Sequence, residues 1–182
     1  MQRKKNQENL KYMVLSAVFA AMIFVTTAFV HIPTHQGYIH AGDGIIYLAA
    51  SLLPTPYAIC ASAIGAGLSD YMSGYAMWIL PTMLIKAMSA TVFTSKRQTI
   101  IDKRNMFALL PASVICIGGY YAAGAVLAML SGSPVQAALT AAIADVPSNF
   151  IQCVASSALF ISLGMALDKS GIKHSINPQI QK

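Results

Sequence analysis

The stretch Gly37–Pro54, GYIHAGDGIIYLAASLLP, places a carboxylate at the mouth of an apolar run. Asp43 stands between two glycines, three residues after His40, and the apolar residues that follow it end at Pro54. An ionisable group is costly beside a membrane-length apolar segment and by default suggests function. A simpler interpretation is a helix cap, in which Asp43 accepts backbone N–H bonds at the positive end of the following helix.

The composition of the chain predicts an integral membrane protein. It has 182 residues, of which 56% are hydrophobic and 10% charged, whereas about a quarter of the residues of a soluble domain are charged. The length fits one membrane domain spanning residues 1–182. The net charge of +6 does not predict a nucleic-acid partner, because no basic residues interleave with aromatic ones.

Several apolar segments have the length of membrane-spanning helices, since a crossing needs about 20 apolar residues. Six spans are predicted, at residues 10–30, 41–53, 57–73, 77–94, 107–131 and 147–167. Residues 135–145 are interpreted as an interfacial piece, because 135–167 is too long for one crossing and Pro147 favours a helix start. The predicted fold class is therefore an all-α, polytopic membrane protein.

The basic residues predict the orientation of these spans. With the N-terminus in the cytoplasm, loop 95–105 and the C-terminal tail fall on the cytoplasmic side. These two segments hold Lys96, Arg97, Lys103, Arg104, Lys169, Lys173 and Lys182. Loops 31–40, 72–76 and 132–134 contain no lysine or arginine. This distribution follows the positive-inside rule and predicts that both termini are cytoplasmic.

Three carboxylates and one lysine lie at or within the predicted spans. Asp43, Asp70 and Asp145 all fall near the outer leaflet, and Lys86 lies roughly 13 Å into the fourth span at helical rise. Asp145 has the same capping explanation as Asp43. Asp70 does not, because it lies near the C-terminal end of its helix. Lys86 is expected either to pair with Asp70, or with Asn149 and Gln152, or to bind a small polar ligand.

Aromatic residues gather at the same predicted outer edge. They are Tyr38, Tyr47, Tyr71, Tyr75 and Trp78. One interpretation is an interfacial aromatic belt. The other, which we favour for one or two of these residues, is that they stack around a flat ligand ring whose orientation a few polar groups fix.

Other chemistry is less well supported by the sequence. His31, His35 and His40 share one loop, but Pro33 breaks the helical spacing that would align the first two, and no metal site is predicted. His40 is expected to bind ligand or to partner Asp43. Because the chain contains no GxxxxGK[ST], HExxH or GxSxG motif, we predict neither an enzyme nor ATP hydrolysis by this chain.

Small residues also repeat at helical spacing. Ala17 and Ala21 form a small-xxx-small pair in the first span, and such pairs let two helices approach closely. A partner surface and internal packing are both compatible with this pair.

The order and spacing of these motifs resemble a transporter family. HAGDGIIYLAASLLP, IGAGLSDYMSGY, MWILPTMLIKA and DVPSNFIQ are similar to the riboflavin-type S components of energy-coupling factor (ECF) vitamin transporters, over about residues 10–167. The resemblance implies a bacterial plasma-membrane protein that captures a vitamin or precursor at its outer face. It also implies a transmembrane coupling protein, contacted through Ala17 and Ala21, and two cytoplasmic ATPases as partners.

The resemblance also implies where the substrate binds. The expected contacts are Tyr38, His40, Asp43, Asp70, Tyr75, Trp78, Lys86, Asp145 and Asn149. No cofactor is expected. Carboxylates near the pocket suit a B6 vitamer or hydroxymethylpyrimidine, with riboflavin next, and the scarcity of outer basic groups disfavours folate.

Other classes of protein stay open. The main alternative is a proton-coupled secondary transporter with Asp70, Asp145 and Lys86 as a proton relay. No convincing internal repeat supports that alternative. A membrane enzyme or a small structural membrane protein is the third class.

Overall fold

The computed structural model describes residues 2–33 and 38–176, which form a helical bundle. Its helices are α1 Gln2–Phe29, α2 Gly42–Leu52, α3 Thr55–Met72, α4 Ile79–Thr91, α5 Lys103–Leu130, α6 Val135–Ile143, α7 Val146–Ser170 and α8 Ile172–Ile176. A short antiparallel hairpin of β1 (His31–Pro33) and β2 (Tyr38–His40) joins α1 to α2. A single 3-10 turn, Ala76–Trp78, precedes α4. The all-α prediction is confirmed, although the sequence did not reveal the hairpin.

Three helical stretches are long and apolar enough to cross a membrane. They are Lys5–Phe29, Lys103–Leu130 and Val135–Ser170. Large apolar side chains on α1 and α5, such as Val14 and Val114, are more than half exposed, as lipid-facing residues are. The chain is thus a multi-pass membrane protein, while the count of six crossings and the cytoplasmic location of both termini remain predictions.

The short helix α2 lies at the centre of the bundle. All of its residues are buried, and it packs against α1, α3, α4 and α7. A helix that is apolar on nearly every side is stable only when it is surrounded, which explains the mostly apolar sequence after Asp43. Tyr47 belongs to this core, because its ring stacks on Phe93 at 4.7 Å and meets Phe160 edge-on at 6.1 Å. Its predicted place at the outer aromatic edge was therefore wrong.

The bundle has two distinct ends. At one end, which we call the cleft end, β2, the C-terminus of α3, the turn before α4 and the junction of α6 and α7 surround a cleft. At the opposite end, Lys11 of α1 donates hydrogen bonds to the carbonyls of Ser175 and Ile176, so the start of α1 contacts α8. Pro147 lies in the first turn of α7, as its position in the sequence predicted.

Candidate functional site

A cleft of about 680 Å³, counted to its open mouth, lies at the cleft end. It is lined by Thr27, Ile39, His40, Ala66, Asp70, Tyr75, Trp78, Thr82, Lys86, Tyr120, Asp145, Ser148, Asn149 and Gln152. The lining residues come from α1, β2, α3, α4, α5 and α7 and from the turns before α4 and α7, so the cleft requires the complete bundle.

A buried ion pair stands behind one wall of the cleft. Nζ of Lys86 lies 2.8 Å from Oδ1 and 2.9 Å from Oδ2 of Asp43, and both residues are 1% exposed. The amide of Gln152 donates a further hydrogen bond of 2.9 Å to Oδ2. The thiol of Cys116 lies 3.7 Å from both the ammonium and the carboxylate. Asp43 thus lies behind Lys86 and outside the lining of the cleft.

This pair corrects two interpretations of the sequence. Asp43 does not cap α2: the N-cap residue is Ala41, the helix start has no side-chain cap hydrogen bond, and the Asp43 carboxylate binds Lys86 instead. The partner of Lys86 is Asp43, not Asp70 or Asn149. A buried charge requires a compensating partner in low dielectric, and α2 lies close enough to α4 to supply it.

Two further carboxylates line the cleft. Asp70 lies in the last turn of α3, near the C-terminal end of the helix as predicted, and is 6% exposed. Asp145 occupies the N-cap position of α7 and is partly exposed, but its side chain makes no cap hydrogen bond in the described structure. Its backbone carbonyl accepts hydrogen bonds from the hydroxyl of Ser148 and the N–H of Asn149. Asp70 and Asp145 thus bring two carboxyl groups to the cleft wall, which Lys86 also lines with its ammonium paired to Asp43.

His40 lines the cleft and is largely buried. Its Nδ1 accepts a hydrogen bond of 3.1 Å from the backbone N–H of Gly42. An accepting Nδ1 carries no proton, so the neutral ring has its proton on Nε2 and can donate there. His40 is therefore a donor at the wall formed by β2.

Aromatic rings form part of the cleft wall. Trp78 and Tyr120 lie 5.9 Å apart between ring centroids, and Tyr120 is also 4.8 Å from Nζ of Lys86 in a cation–π contact. Tyr75 is half-buried nearby, whereas Tyr71 is 67% exposed and points away. The predicted aromatic cluster is thus divided between the cleft, the surface and the core.

A side cleft adjoins the main one. Both clefts include Trp78 and Asp145 in their walls. The side cleft is otherwise lined by Met77, Gly124, Leu127, Ala128, Ser131, Ala141 and Ala142. Its largely apolar wall provides space beside the indole ring for a substituent that leaves the main cleft.

The structure brings most of the predicted site residues together. His40, Asp70, Tyr75, Trp78, Lys86, Asp145 and Asn149 all line the cleft. The side chains of His31 and Tyr38 and the whole of His35 lie outside what the structure describes. Over residues 2–33 and 38–176, no group of three or more His, Cys, Asp or Glu side chains could hold a metal ion.

Other lining residues were missed by sequence reasoning. The main ones are Thr27, Thr82, Tyr120 and Ser148, whereas Gln152 was expected only as a partner of Lys86. A signal was present for some of them: Thr82, Lys86 and Ser89 follow one face of α4, and Ser148, Gln152 and Ser156 follow one face of α7. Uncharged polar residues at helical spacing in an apolar segment mark a face turned away from lipid.

Comparison with known proteins identifies the family. A model of the ECF-type riboflavin transporter, S component, matches residues 7–169. The chain belongs to this family. S components of ECF transporters bind a vitamin and associate with a transmembrane protein and ATPases, and the family is a class of transport proteins rather than enzymes. The S component is also 28% identical over 151 residues to an uncharacterized protein in gap 3'region of Pyrococcus woesei, covering 81% of this chain and 95% of the relative.

Proposed function

We propose that this S component captures a B6 vitamer or hydroxymethylpyrimidine in the cleft and passes it to partner subunits for ATP-driven uptake. The observation that carries this ligand class is the chemistry of the groups that line the cleft. Asp70 and Asp145 contribute two carboxylates to its wall, whereas the ammonium of Lys86 is compensated by Asp43. A ring that bears hydroxyl and amine groups, and is neutral or weakly basic, complements such a site, and a strongly anionic ligand such as folate does not.

The shape and polarity of the wall support a flat ring. Trp78 and Tyr120 offer aromatic surfaces for stacking or edge contacts. Asn149 and Ser148, on the first turns of α7, supply polar groups that fix the orientation of a small ligand. The nine predicted site residues are proposed to bind the ligand by such ring contacts and polar contacts. Asp43 is the exception, because it acts by pairing with Lys86 and does not contact the ligand.

Riboflavin is the second candidate ligand. The description of the family favours it, and the side cleft beside Trp78 offers room for a substituent on a larger ring system. A single-ring vitamin would leave this side cleft unused. A panel that contains pyridoxine, hydroxymethylpyrimidine and riboflavin therefore distinguishes the two proposals by rank order of affinity.

The outer surface of α1 is the proposed binding site for the partner subunits. Ala17 and Ala21 are exposed, whereas Phe19 and Ile23 of the same helix pack inward. We assign this small-residue surface to the transmembrane coupling protein, with two cytoplasmic ATPases completing the importer in a bacterial plasma membrane. The proton-coupled alternative predicts that vesicles containing this chain alone accumulate vitamin in response to a proton gradient, and the importer predicts that they do not.

The deciding experiment combines mass spectrometry of small molecules released from detergent-purified protein with calorimetric titration of the three vitamins. A stoichiometric B6 vitamer or pyrimidine supports the proposal. Riboflavin bound most tightly moves the assignment to the second candidate. A protein that carries and binds none of the three compounds contradicts both.

A substitution at the rim tests the charge argument. Asp145→Asn should weaken pyridoxine binding by about tenfold or more, because a hydrogen bond to a charged group contributes about 1.5–3 kcal/mol. The control is Asp168→Asn, which removes a carboxylate of the same helix at the opposite end of the bundle and should leave affinity unchanged. If Asp145→Asn and Asp168→Asn bind pyridoxine with the same affinity, recognition of the ligand by the Asp145 carboxylate is contradicted.

A further inference from the structure

Thr27, near the C-terminal end of α1, carries a buried hydroxyl that no described residue satisfies. The residue is 2% exposed and lines the cleft. Within residues 2–33 and 38–176, its Oγ1 has no hydrogen-bond partner. Buried hydroxyl groups are normally paired, because an unpaired one costs free energy in an apolar environment. The unused hydroxyl at the cleft therefore needs an explanation.

The neighbouring threonine shows what Thr27 could have done. Oγ1 of Thr26 donates to the carbonyl of Met22 at 2.7 Å, the usual way in which a threonine within a helix satisfies its hydroxyl. Thr27 makes no such bond to its own helix. Its hydroxyl is therefore left without an intrahelical hydrogen bond, in a residue that lines the cleft.

Gly42 allows the backbone at the start of α2 to lie against Thr27. A Cβ atom on Gly42 would collide with Oγ1 of Thr27 and lie 3.0 Å from Nδ1 of His40. Gly42 also donates its N–H to that Nδ1, which leaves Nε2 of His40 as the donor. The close approach of α2 to α1 thus places a hydroxyl and an imidazole in one part of the cleft wall.

We infer that Thr27 is a ligand-binding residue whose hydroxyl completes its hydrogen bonding only when a polar ring atom of the vitamin occupies the cleft. This inference rests on the proposed function. Because a hydroxyl both donates and accepts, Thr27 suits a ring hydroxyl or a ring nitrogen. Together with His40 it forms a polar wall of neutral groups, in contrast to the carboxylates of Asp70 and Asp145.

The test separates ligand binding from folding. Thr27→Val replaces the hydroxyl with a methyl group of similar size, and Thr27→Ser keeps the hydroxyl. Pyridoxine, hydroxymethylpyrimidine and riboflavin are titrated calorimetrically into each variant in detergent, and the melting temperature is measured without ligand. Thr26→Val is the matched control, because its hydroxyl is satisfied by Met22 and it neighbours Thr27 on the same helix.

For the ligand that wild type binds most tightly, Thr27→Val is expected to weaken binding about three- to tenfold, the loss of one neutral hydrogen bond. Its ligand-free melting temperature should equal or exceed that of wild type, because an unpaired buried hydroxyl is removed. Thr27→Ser should bind more tightly than Thr27→Val, and Thr26→Val should bind as wild type does.

Each other outcome overturns the inference in a distinguishable way. Wild-type affinity in Thr27→Val, or equal losses in Thr26→Val, would show that the hydroxyl of Thr27 does not contact ligand, with the proposed function intact. A lower melting temperature together with weaker binding in Thr27→Val would assign Thr27 a packing role. Failure of the wild-type protein to bind any of the three compounds overturns the proposed function and this inference together.

Discussion

The ion pair of Lys86 and Asp43 places full charges in the most buried part of the molecule. Such a pair contributes little net stability compared with apolar residues, but breaking it by removing one partner is costly. The pair also fixes the charge that the cleft presents, because an uncompensated Lys86 would add a positive charge to a wall that holds Asp70 and Asp145. Its role is therefore electrostatic as well as structural.

Replacing one member of the pair should destabilise the protein strongly. Asp43→Asn leaves Lys86 buried without its counter-charge and should cost about 3–5 kcal/mol, whereas Asp43→Asn combined with Lys86→Met should recover much of this loss. The measurement is thermal or denaturant unfolding in detergent. The control is Arg97→Gln, which breaks the exposed Arg97–Asp102 contact of 3.5 Å and should cost no more than about 1 kcal/mol. A double variant less stable than the single one would contradict this account.

At the scale of elements, the end of the bundle opposite the cleft is held by polar contacts to one irregular segment, residues 92–102. The carboxylate of Asp168 on α7 accepts the N–H groups of Ile100 and Ile101 at 2.7 and 2.9 Å. The ammonium of Lys173 on α8 donates to the carbonyl of Thr99 at 2.8 Å. The side chain of Asn105 binds backbone groups of the same segment. These bonds replace regular secondary structure there.

Lys173 should make stability depend on pH. Burial lowers the pKa of Lys173 to about 8 from 10.5, against the opposing effect of Asp168 and Asp102. Between these values the unfolded chain keeps a proton that the folded one releases, so the free energy of unfolding rises as pH increases from about 8 to 10.5, by at most about 3 kcal/mol. The free energy of unfolding, measured at pH 7 and pH 10, should rise with pH in the wild-type protein and not in Lys173→Met. The same pH dependence in the wild type and in the variant would contradict this role of Lys173.

The helices were predictable from sequence, but much of the cleft was not. Apolar length and Pro147 revealed the segments that became α1, α5, α6 and α7. Tyr47 was misplaced because an aromatic residue near a helix start fits a membrane interface and a protein core equally well. Thr27 was missed because a single threonine in an apolar helix does not form a recognisable sequence pattern. Its surroundings depend on the packing of Gly42 against it, which only the structure shows. Pairing across helices, as in Lys86 and Asp43, likewise depends on tertiary packing.

At the scale of the whole molecule, the cleft and the contacts of segment 92–102 lie at opposite ends of one bundle, and α1 extends between them. Its inner face contributes Thr27 to the cleft and Ser16 to a bond with the carbonyl of Tyr57 on α3. Its outer face exposes Ala17 and Ala21. A partner that binds this outer face would therefore contact the same helix that contributes Thr27 to the cleft.

The two faces of α1 should be separable by mutation. Ala17→Trp with Ala21→Trp fills the small-residue surface, so we expect it to abolish co-purification with the coupling protein and the ATPases. Vitamin binding by the isolated chain should stay within about twofold of wild type, because both residues are exposed and neither lines the cleft. Val114→Trp, at a position of α5 that is 71% exposed, is the control for added bulk and should retain the partners. Retention of the partners by the double variant, or their loss in Val114→Trp, would contradict a docking surface at Ala17 and Ala21.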